Sequence, residues 1–262
     1  MKIGMIGYGQ IGQALHTAIR DGVAGGAAEV VVVLVRDRSR HTPIVATPIT
    51  DDLDEFLGFD VDLVVEVAGH AALRDYVLAV LEAGCDLLTV SVGAFADPAF
   101  LESVESTARR TGRRVLVPSG AIAGLDMIAA AALAPLDSVT HTTRKPPRAF
   151  TREQLGTDEE PPEPRLLFDG PARDGVGRFP ENVNVAAAVS LAGIGLDRTR
   201  LRVYADPTVT RNVHEVEVVG HFGTLSLHVE NEPSDNPKTG RIVPLSVAKA
   251  IRNLSAPMVI GL

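Results

Sequence analysis

Cysteine, tryptophan and aromatic residues in general are scarce in this chain. One cysteine and no tryptophan occur in 262 residues, and aromatics make up 4%. A lone thiol, Cys85, excludes an internal disulfide and a cysteine-built metal site, so no metal is expected. Its setting, Glu82-Ala83-Gly84-Cys85-Asp86, reads as a small buried filler where a helix hands over to a strand. A basic excess is also missing: 25 Lys and Arg against 33 Asp and Glu give a formal net charge of −8. Without a lysine or arginine stripe, no nucleic-acid partner is expected. The longest apolar stretch, Ala121 to Pro135, contains Asp126 and is too short to span a bilayer, so no membrane partner is expected either. Met1-Lys2 runs straight into the strand Ile3-Gly4-Met5-Ile6 and leaves no room for a signal peptide, which points to a cytoplasmic location. No internal repeat or low-complexity tail is present.

What remains is an ordinary globular composition, 45% hydrophobic and 22% charged, long enough for one large domain or two modest ones. Residues 1–120 alternate short runs of Val, Ile and Leu with helix-like stretches. The predicted strands are Lys2–Ile6, Glu29–Val35, Leu63–Glu66, Asp86–Thr89 and Arg114–Val117. The predicted helices are Ile11–Asp21, Leu53–Leu57, Ala71–Ala83 and Asp97–Thr111. Strands apolar along their whole length are buried on both faces, and their alternation with helices implies a parallel, doubly wound sheet.

The pattern changes after Pro118. A helix over Ala123–Ala134 leads to a strand near Ser138–Thr143, then to a polar, proline-rich stretch from Lys145 to Pro164 that reads as a surface loop. A second helix, Asn182–Ala192, precedes strands at Arg200–Ala205, Asn212–Val219 and Thr224–Glu230, the last two joined by Gly220-His221-Phe222-Gly223 as a hairpin. This half predicts an α+β domain of mostly antiparallel sheet over 121–240. A final helix, Val243–Asn253, lies in the segment 241–262 that is expected to rejoin the first domain.

Gly7-Tyr8-Gly9-Gln10-Ile11-Gly12 follows a strand and opens a helix, the setting that the Rossmann dinucleotide fingerprint requires. Gly7 permits the tight turn, Gly9 lets the backbone approach a pyrophosphate, and Gly12 lets the helix pack close to the strand; the positive end of that helix then faces the phosphates. The expected cofactor is NAD or NADP. The second strand ends in Val35-Arg36-Asp37-Arg38-Ser39-Arg40. Arg36, Arg38 and Ser39 are candidates for a 2′-phosphate and Asp37 for a free ribose, so the preference stays open. Ala68-Gly69-His70 and Ser91-Val92-Gly93-Ala94 fall at the carboxyl ends of later strands, where ligands of open α/β sheets bind, and are candidates for lining the cofactor site.

Seven histidines offer proton transfer near neutral pH. His16 lies on the first helix, His41 in a charged loop and His141 at a strand edge, all read as structural or solvated. His221 and His228 fall in the exposed hairpin. His214 differs: period-two alternation in Asn212-Val213-His214-Glu215-Val216-Glu217-Val218 places it with Val216 and Val218, on the apolar face. By spacing alone, it reads as a hydrogen-bonded core residue.

Several segments resemble the L-aspartate dehydrogenase family, related to dihydrodipicolinate reductase and homoserine dehydrogenase. They are Pro118-Ser119-Gly120-Ala121-Ile122-Ala123-Gly124-Leu125-Asp126, Thr143-Arg144-Lys145-Pro146-Pro147, Phe179-Pro180-Glu181-Asn182-Val183-Asn184-Val185-Ala186-Ala187, Ala205-Asp206-Pro207, Asn212-Val213-His214-Glu215 and Glu230-Asn231-Glu232-Pro233-Ser234-Asp235-Asn236-Pro237-Lys238-Thr239. The resemblance implies reversible NAD(P)-dependent oxidative deamination of L-aspartate to oxaloacetate and ammonia through iminoaspartate, feeding NAD biosynthesis. It implies that His214 is the catalytic histidine and that Ala121 and Asn184 contact the cofactor near its nicotinamide end. Arg144, Lys145, Asn182, Asn212 and Lys238 become candidates for holding the substrate, a guanidinium being able to grip a carboxylate with two parallel bonds. A homodimer through the second domain's sheet is expected. Two alternatives are an imine reductase of the dihydrodipicolinate reductase type and a non-catalytic NADP-sensing protein.

Overall fold

Strand β1 (Lys2–Ile6) and strand β2 (Glu29–Leu34) are apolar along nearly their whole length, as strands covered on both faces must be. A computed structural model of the protein describes residues 1–261, apart from 43, 45, 158, 180–182 and 233–239, with only the backbone described at 183. β1 pairs in parallel with β2 on one side and with β4 (Leu63–Glu66) on the other. With β3 (Ile49–Thr50), β5 (Asp86–Thr89) and β6 (Val115–Leu116) they form a six-stranded parallel sheet of order β3-β2-β1-β4-β5-β6. The order reverses beside β1, so the carboxyl ends of β1, β2 and β4 open at the switch point where such sheets bind ligands.

Helices α1 (Gln10–Arg20), α2 (Leu53–Leu57), α3 (His70–Glu82) and α4 (Pro98–Thr111) follow the strands as the apolar spacing predicts. The α4 boundaries are chemically marked. The Asp97 carboxylate accepts the N–H groups of Ala99 and Phe100, Pro98 stands in the first turn, and Gly112 leaves the helix at φ +67°. The last helix of the chain, Ile242–Ser255, sends Val247, Ala248 and Ile251 into the same core as Ile3, Met5, Leu15 and Val65. One compact unit therefore comprises residues 1–120 and 244–262, and the other 121–243. Among the described strands of the first unit, only β3 is absent from the sequence reading; it is two residues long and carries no periodicity.

The second unit contains α5 (Leu125–Ala131), β7 (Leu136–Lys145), α6 (Arg152–Leu155), β8 (Arg165–Pro171), α7 (Ala172–Arg178), α8 (Val183–Ala192), β9 (Arg200–Ala205), β10 (Asn212–Gly220) and β11 (Gly223–Asn231). Its five strands run in the order β11-β10-β7-β9-β8, antiparallel except for β7 with β9. Helix α8 is apolar on nearly every side, as a helix sunk in a core must be. With α5 it covers one face of the sheet, where Val139, Val216 and Val218 meet Ile128 and Val189. The other face is polar, with Thr140, Thr142, Arg202, Glu215, Glu217 and His228 around a cavity of about 370 Å³.

The stretch read as a loop from Lys145 to Pro164 is shorter and more ordered than expected. Lys145 is the buried last residue of β7, and Thr151 with Gln154 forms a reciprocal capping box on α6. β8 and α7 escaped the sequence reading because both carry residues that argue against their class. β8 ends in Gly170-Pro171, which an edge strand tolerates. α7 contains Gly175 and Gly177. A Cβ at Gly175 would lie 2.5 Å from Leu201 Cδ2, so close packing on β9, not helix propensity, selects glycine there. Among the described residues no helix is long and apolar enough to cross a membrane.

The glycine turn separates two roles that the sequence joins. A Cβ at Gly12 would sit 2.5 Å from the Gly7 carbonyl oxygen, whereas a Cβ at Gly9 would meet nothing within 4 Å. Backbone cannot yield as a side-chain tip can, so Gly12→Ala should lower stability by about 1–3 kcal/mol. Gly9→Ala should stay within about 0.5 kcal/mol of the parent. Chemical denaturation of both variants checks the contrast.

Candidate active site

In the first unit, the turn after β1 and the loop after β4 touch. Gly7 adopts φ +96°, and a Cβ there would lie 2.6–2.8 Å from the Ala68 N, Cα and Cβ atoms. Gly9 then opens α1 with no side-chain cap, leaving the first-turn N–H groups for a ligand. Beside this turn lies a groove of about 650 Å³. Gly7, Tyr8 and Gly9 line it from the first loop, Arg36, Asp37, Arg40 and His41 from the end of β2, and Ala68, Gly69 and His70 from the end of β4. Gln10, Ile11 and Gly12 form the first turn of α1 behind that rim.

A residue that sequence reasoning passed over organises these loops. Glu66, fully buried, accepts from Ala68 N at 2.7 Å, Gly69 N at 2.8 Å and Ser91 Oγ at 2.9 Å on one oxygen, and from Thr89 Oγ1 at 2.5 Å on the other. Four donors satisfy a carboxylate that would otherwise be costly to bury. Ser91 thus serves Glu66, and Val92 and Gly93 begin a buried 3-10 turn; none of the three lines the groove. The available signal was a strand, Leu63-Val64-Val65-Glu66, that ends an apolar run on a carboxylate.

In the second unit, His214 stands on the helix-covered face of β10, 5% exposed, as alternation predicts. Opposite it on β7 is Thr143, and two pairs further along, on the same face, Val216 is opposite His141. His141 is not at a strand edge: β7 is the central strand, and His141 is fully buried. The two rings stack at 5.4 Å between centroids, with His141 Nε2 3.2 Å from His214 Nδ1. A single proton can occupy that contact, so one ring donates and the other accepts. Burial, then the Lys145 ammonium, pushes His141 down to about 3. Burial, then His141, then Lys145, holds His214 well below the usual histidine range. Lys145 shares this face, 6% exposed. His141 Nδ1 and Thr143 Oγ1 are buried without a hydrogen-bond partner among the described residues. Polar groups left unsatisfied beside a histidine pair, on an otherwise apolar face, make this cluster the candidate catalytic site of the second unit.

The remaining residues singled out by sequence fall in different places. Arg144 points to the opposite face of the sheet. Its guanidinium lies 3.2 Å from Glu215 and 3.5 Å from Asp206 and stacks on Tyr204 at 4.4 Å. The structure therefore parts Arg144 from His214 and keeps Lys145 beside it. Asn212 begins β10, paired with Asn231, whose amide donates to the Ala121 carbonyl at 2.8 Å. Asn184 is exposed in the first turn of α8. Asn182 and Lys238 lie outside the described residues.

Residues 7–118 match the NAD binding domain of homoserine dehydrogenase, and residues 126–254 match the aspartate dehydrogenase C-terminal domain. An L-aspartate dehydrogenase of Methanosarcina barkeri is 43% identical across all of this chain and 99% of its own length. The chain belongs to the L-aspartate dehydrogenase family. A second member, from Ralstonia pickettii, is 40% identical over 97% of each chain. The crystal structure of the Thermotoga maritima aspartate dehydrogenase superposes with a TM-score of 0.80 at 27% identity, covering 100% of this chain and 99% of that one.

Two features of this member of the L-aspartate dehydrogenase family can be tested directly. Glu66→Ala strands four donors and should cost about 3–5 kcal/mol, whereas Glu66→Gln keeps an acceptor and should cost less than half of that. Urea denaturation measures both. The histidine pair should make the protein acid-sensitive. Unfolded histidine protonates near 6.5, folded His141 only near 3, so stability is full above the first value and falls as pH drops towards the second. Between pH 6.5 and 5 the loss from His141 is about 2 kcal/mol. Denaturation at pH 7 and pH 5 should show His141→Phe losing less than the parent.

Proposed function

We propose that the protein catalyses the reversible oxidative deamination of L-aspartate, with NAD or NADP, to oxaloacetate and ammonia through iminoaspartate. The observation that carries this reading is a buried histidine pair, held neutral, with a lysine on the same face, in a chain whose whole length matches L-aspartate dehydrogenases. The groove of the first unit fits a dinucleotide. Its glycine rim is open above Gly9, α1 is uncapped, and a cavity of about 650 Å³ runs from there to the end of β2. In this reading Gly7, Gly9, Gln10, Ile11 and Gly12 hold the pyrophosphate. Arg36 and Asp37 face the adenosine ribose, and Ala68, Gly69 and His70 form the adjoining wall. Ala121 and Asn184 serve the nicotinamide end, as in the family. Bound there, the dinucleotide supplies the hydride acceptor.

The amino group must be neutral before its lone pair can help expel a hydride from Cα. His214 is the group placed to take that proton, burial keeping its imidazole in the unprotonated form that can accept one. Once that proton has passed to solvent, the ring can take the next from the water that adds to the imine carbon, and the two transfers reverse one at a time in the amination direction. His141 holds the His214 ring by Nδ1, which leaves Nε2 for the substrate. Lys145 offers an ammonium to a carboxylate, with Asn212, Asn182 and Lys238 as further substrate-holding groups. The domain of 121–240 is then the catalytic one. Its uncovered sheet face carries charges of both signs, so it can match its own two-fold copy in a homodimer. The family likeness extends the reading to a cytoplasmic enzyme whose imine feeds pyridine-nucleotide biosynthesis.

His214→Ala should cut turnover by about 10²–10⁴-fold while NAD(P)H fluorescence titration gives an unchanged affinity. The assay is NAD(P)H oxidation with oxaloacetate plus ammonia, compared with other oxo acids. Turnover near the parent's would remove His214 from the mechanism. His141→Phe should shift the acidic limb of the kcat/KM profile to higher pH, because one cause of the depressed His214 value is gone.

A further inference from the structure

We propose that the end of β2 is a phosphate site on the adenosine ribose, so that the protein selects NADP over NAD through Arg36, Arg40 and His41. The proposal rests on the dinucleotide reading of the groove and decides what that reading leaves open.

Four charged residues and a serine crowd the segment from Arg36 to Arg40, and the structure assigns each side chain a different task. Arg38 turns away from the groove: its Nε lies 3.8 Å from Asp51 Oδ1, and its backbone N–H donates to Asp51 at 3.2 Å. Ser39 is committed as well, donating to Asp37 Oδ1 from its hydroxyl at 2.6 Å and from its N–H at 3.0 Å. Those two bonds cap the short 3-10 turn Arg38–Arg40. Two of the three side chains that the sequence offers to a 2′-phosphate, Arg38 and Ser39, are therefore taken.

Arg36, Arg40 and His41 line the groove, and neither arginine forms an ion pair among the described residues. Asp37, which in an NAD-selective site would hold ribose hydroxyls with its carboxylate, has one oxygen already occupied by two donors. The wall across from these groups is rigid. Tyr8 meets the His41 ring edge-on at 6.3 Å between centroids, and its hydroxyl is pinned to His16 Nδ1 at 3.0 Å. The lining includes one further carboxylate, Asp75 of α3. Arg40 and His41 act on the Asp37 carboxylate, but two guanidinium groups with a histidine beside them on an exposed rim outnumber that one carboxylate and suit a dianion better than a pair of hydroxyls. Guanidinium forks bind phosphate oxygens two at a time, and ribose hydroxyls gain nothing comparable from them.

The test compares adenosine 2′,5′-bisphosphate with AMP by isothermal titration on the full-length protein, where no catalysis intervenes. The bisphosphate should bind at least about tenfold tighter. In the Arg36→Ala/Arg40→Ala double variant the ratio should fall to near one, the bisphosphate losing more affinity than AMP. NADPH and NADH titrated by fluorescence should follow the same ratio. If AMP and NADH bind but the 2′-phosphate adds nothing, or if the double variant keeps the full ratio, the phosphate site is wrong and the groove reading stands. If neither fragment nor either dinucleotide binds, both fall together.

Discussion

The carboxylate of Glu66 sets the spacing of the loops on which the first unit's groove depends. Held at 0% exposure, it persists as an acceptor only because two backbone N–H groups from the β4 loop and two hydroxyls from the β5 side converge on it. The same loop supplies the Ala68 atoms against which Gly7 is packed so closely that no Cβ fits between them. One buried side chain thus ties the β5 turn to the β4 loop, and steric contact ties the β4 loop to the glycine turn. The opening above Gly9 is what remains after those contacts are made. A groove positioned this way is preformed, and a ligand need not spend binding energy on ordering it.

The second unit uses the opposite device. Instead of saturating a buried polar group, it leaves several incompletely satisfied: the histidine pair shares one hydrogen bond, while His141 Nδ1 and Thr143 Oγ1 have none among the described residues. Lys145 on the same face disfavours protonation of both rings. The result is an imidazole pair on which protonation is disfavoured, with a lysine on the same face. That arrangement fits an acidic substrate, since a negatively charged side chain beside the histidine would oppose the entry of a dicarboxylate.

Much of the fold was legible because its signals are local. The β-branched runs at Lys2–Ile6 and Leu63–Glu66, the glycines at 7, 9 and 12, and the Asp97-Pro98 helix start each act within a few residues. The His214 face was legible for the same reason, alternation being a property of one strand. β8 and α7 were not, because their glycines and proline contradict local propensity and are selected by packing on β9 or tolerated by edge position. Glu66 showed only as an oddity at the end of a strand, since its donors Thr89 and Ser91 lie 23 and 25 residues away.

By itself the sequence determined the parallel sheet, the dinucleotide turn and, through long motif runs shared with L-aspartate dehydrogenases, the family. Those features are written in adjacent residues. Tertiary structure decided which neighbours the functional side chains have. His141 meets His214 across 73 residues because β7 and β10 pair in one register; a slip of a single residue would turn His214 to the polar face. Pairing of β7 with β10 and with β9 brings Arg144 to Glu215 and Asp206, while Lys145 stays on the face of the histidines, although the two are adjacent in the chain. Alternation assigns a face, but only strand pairing fills it.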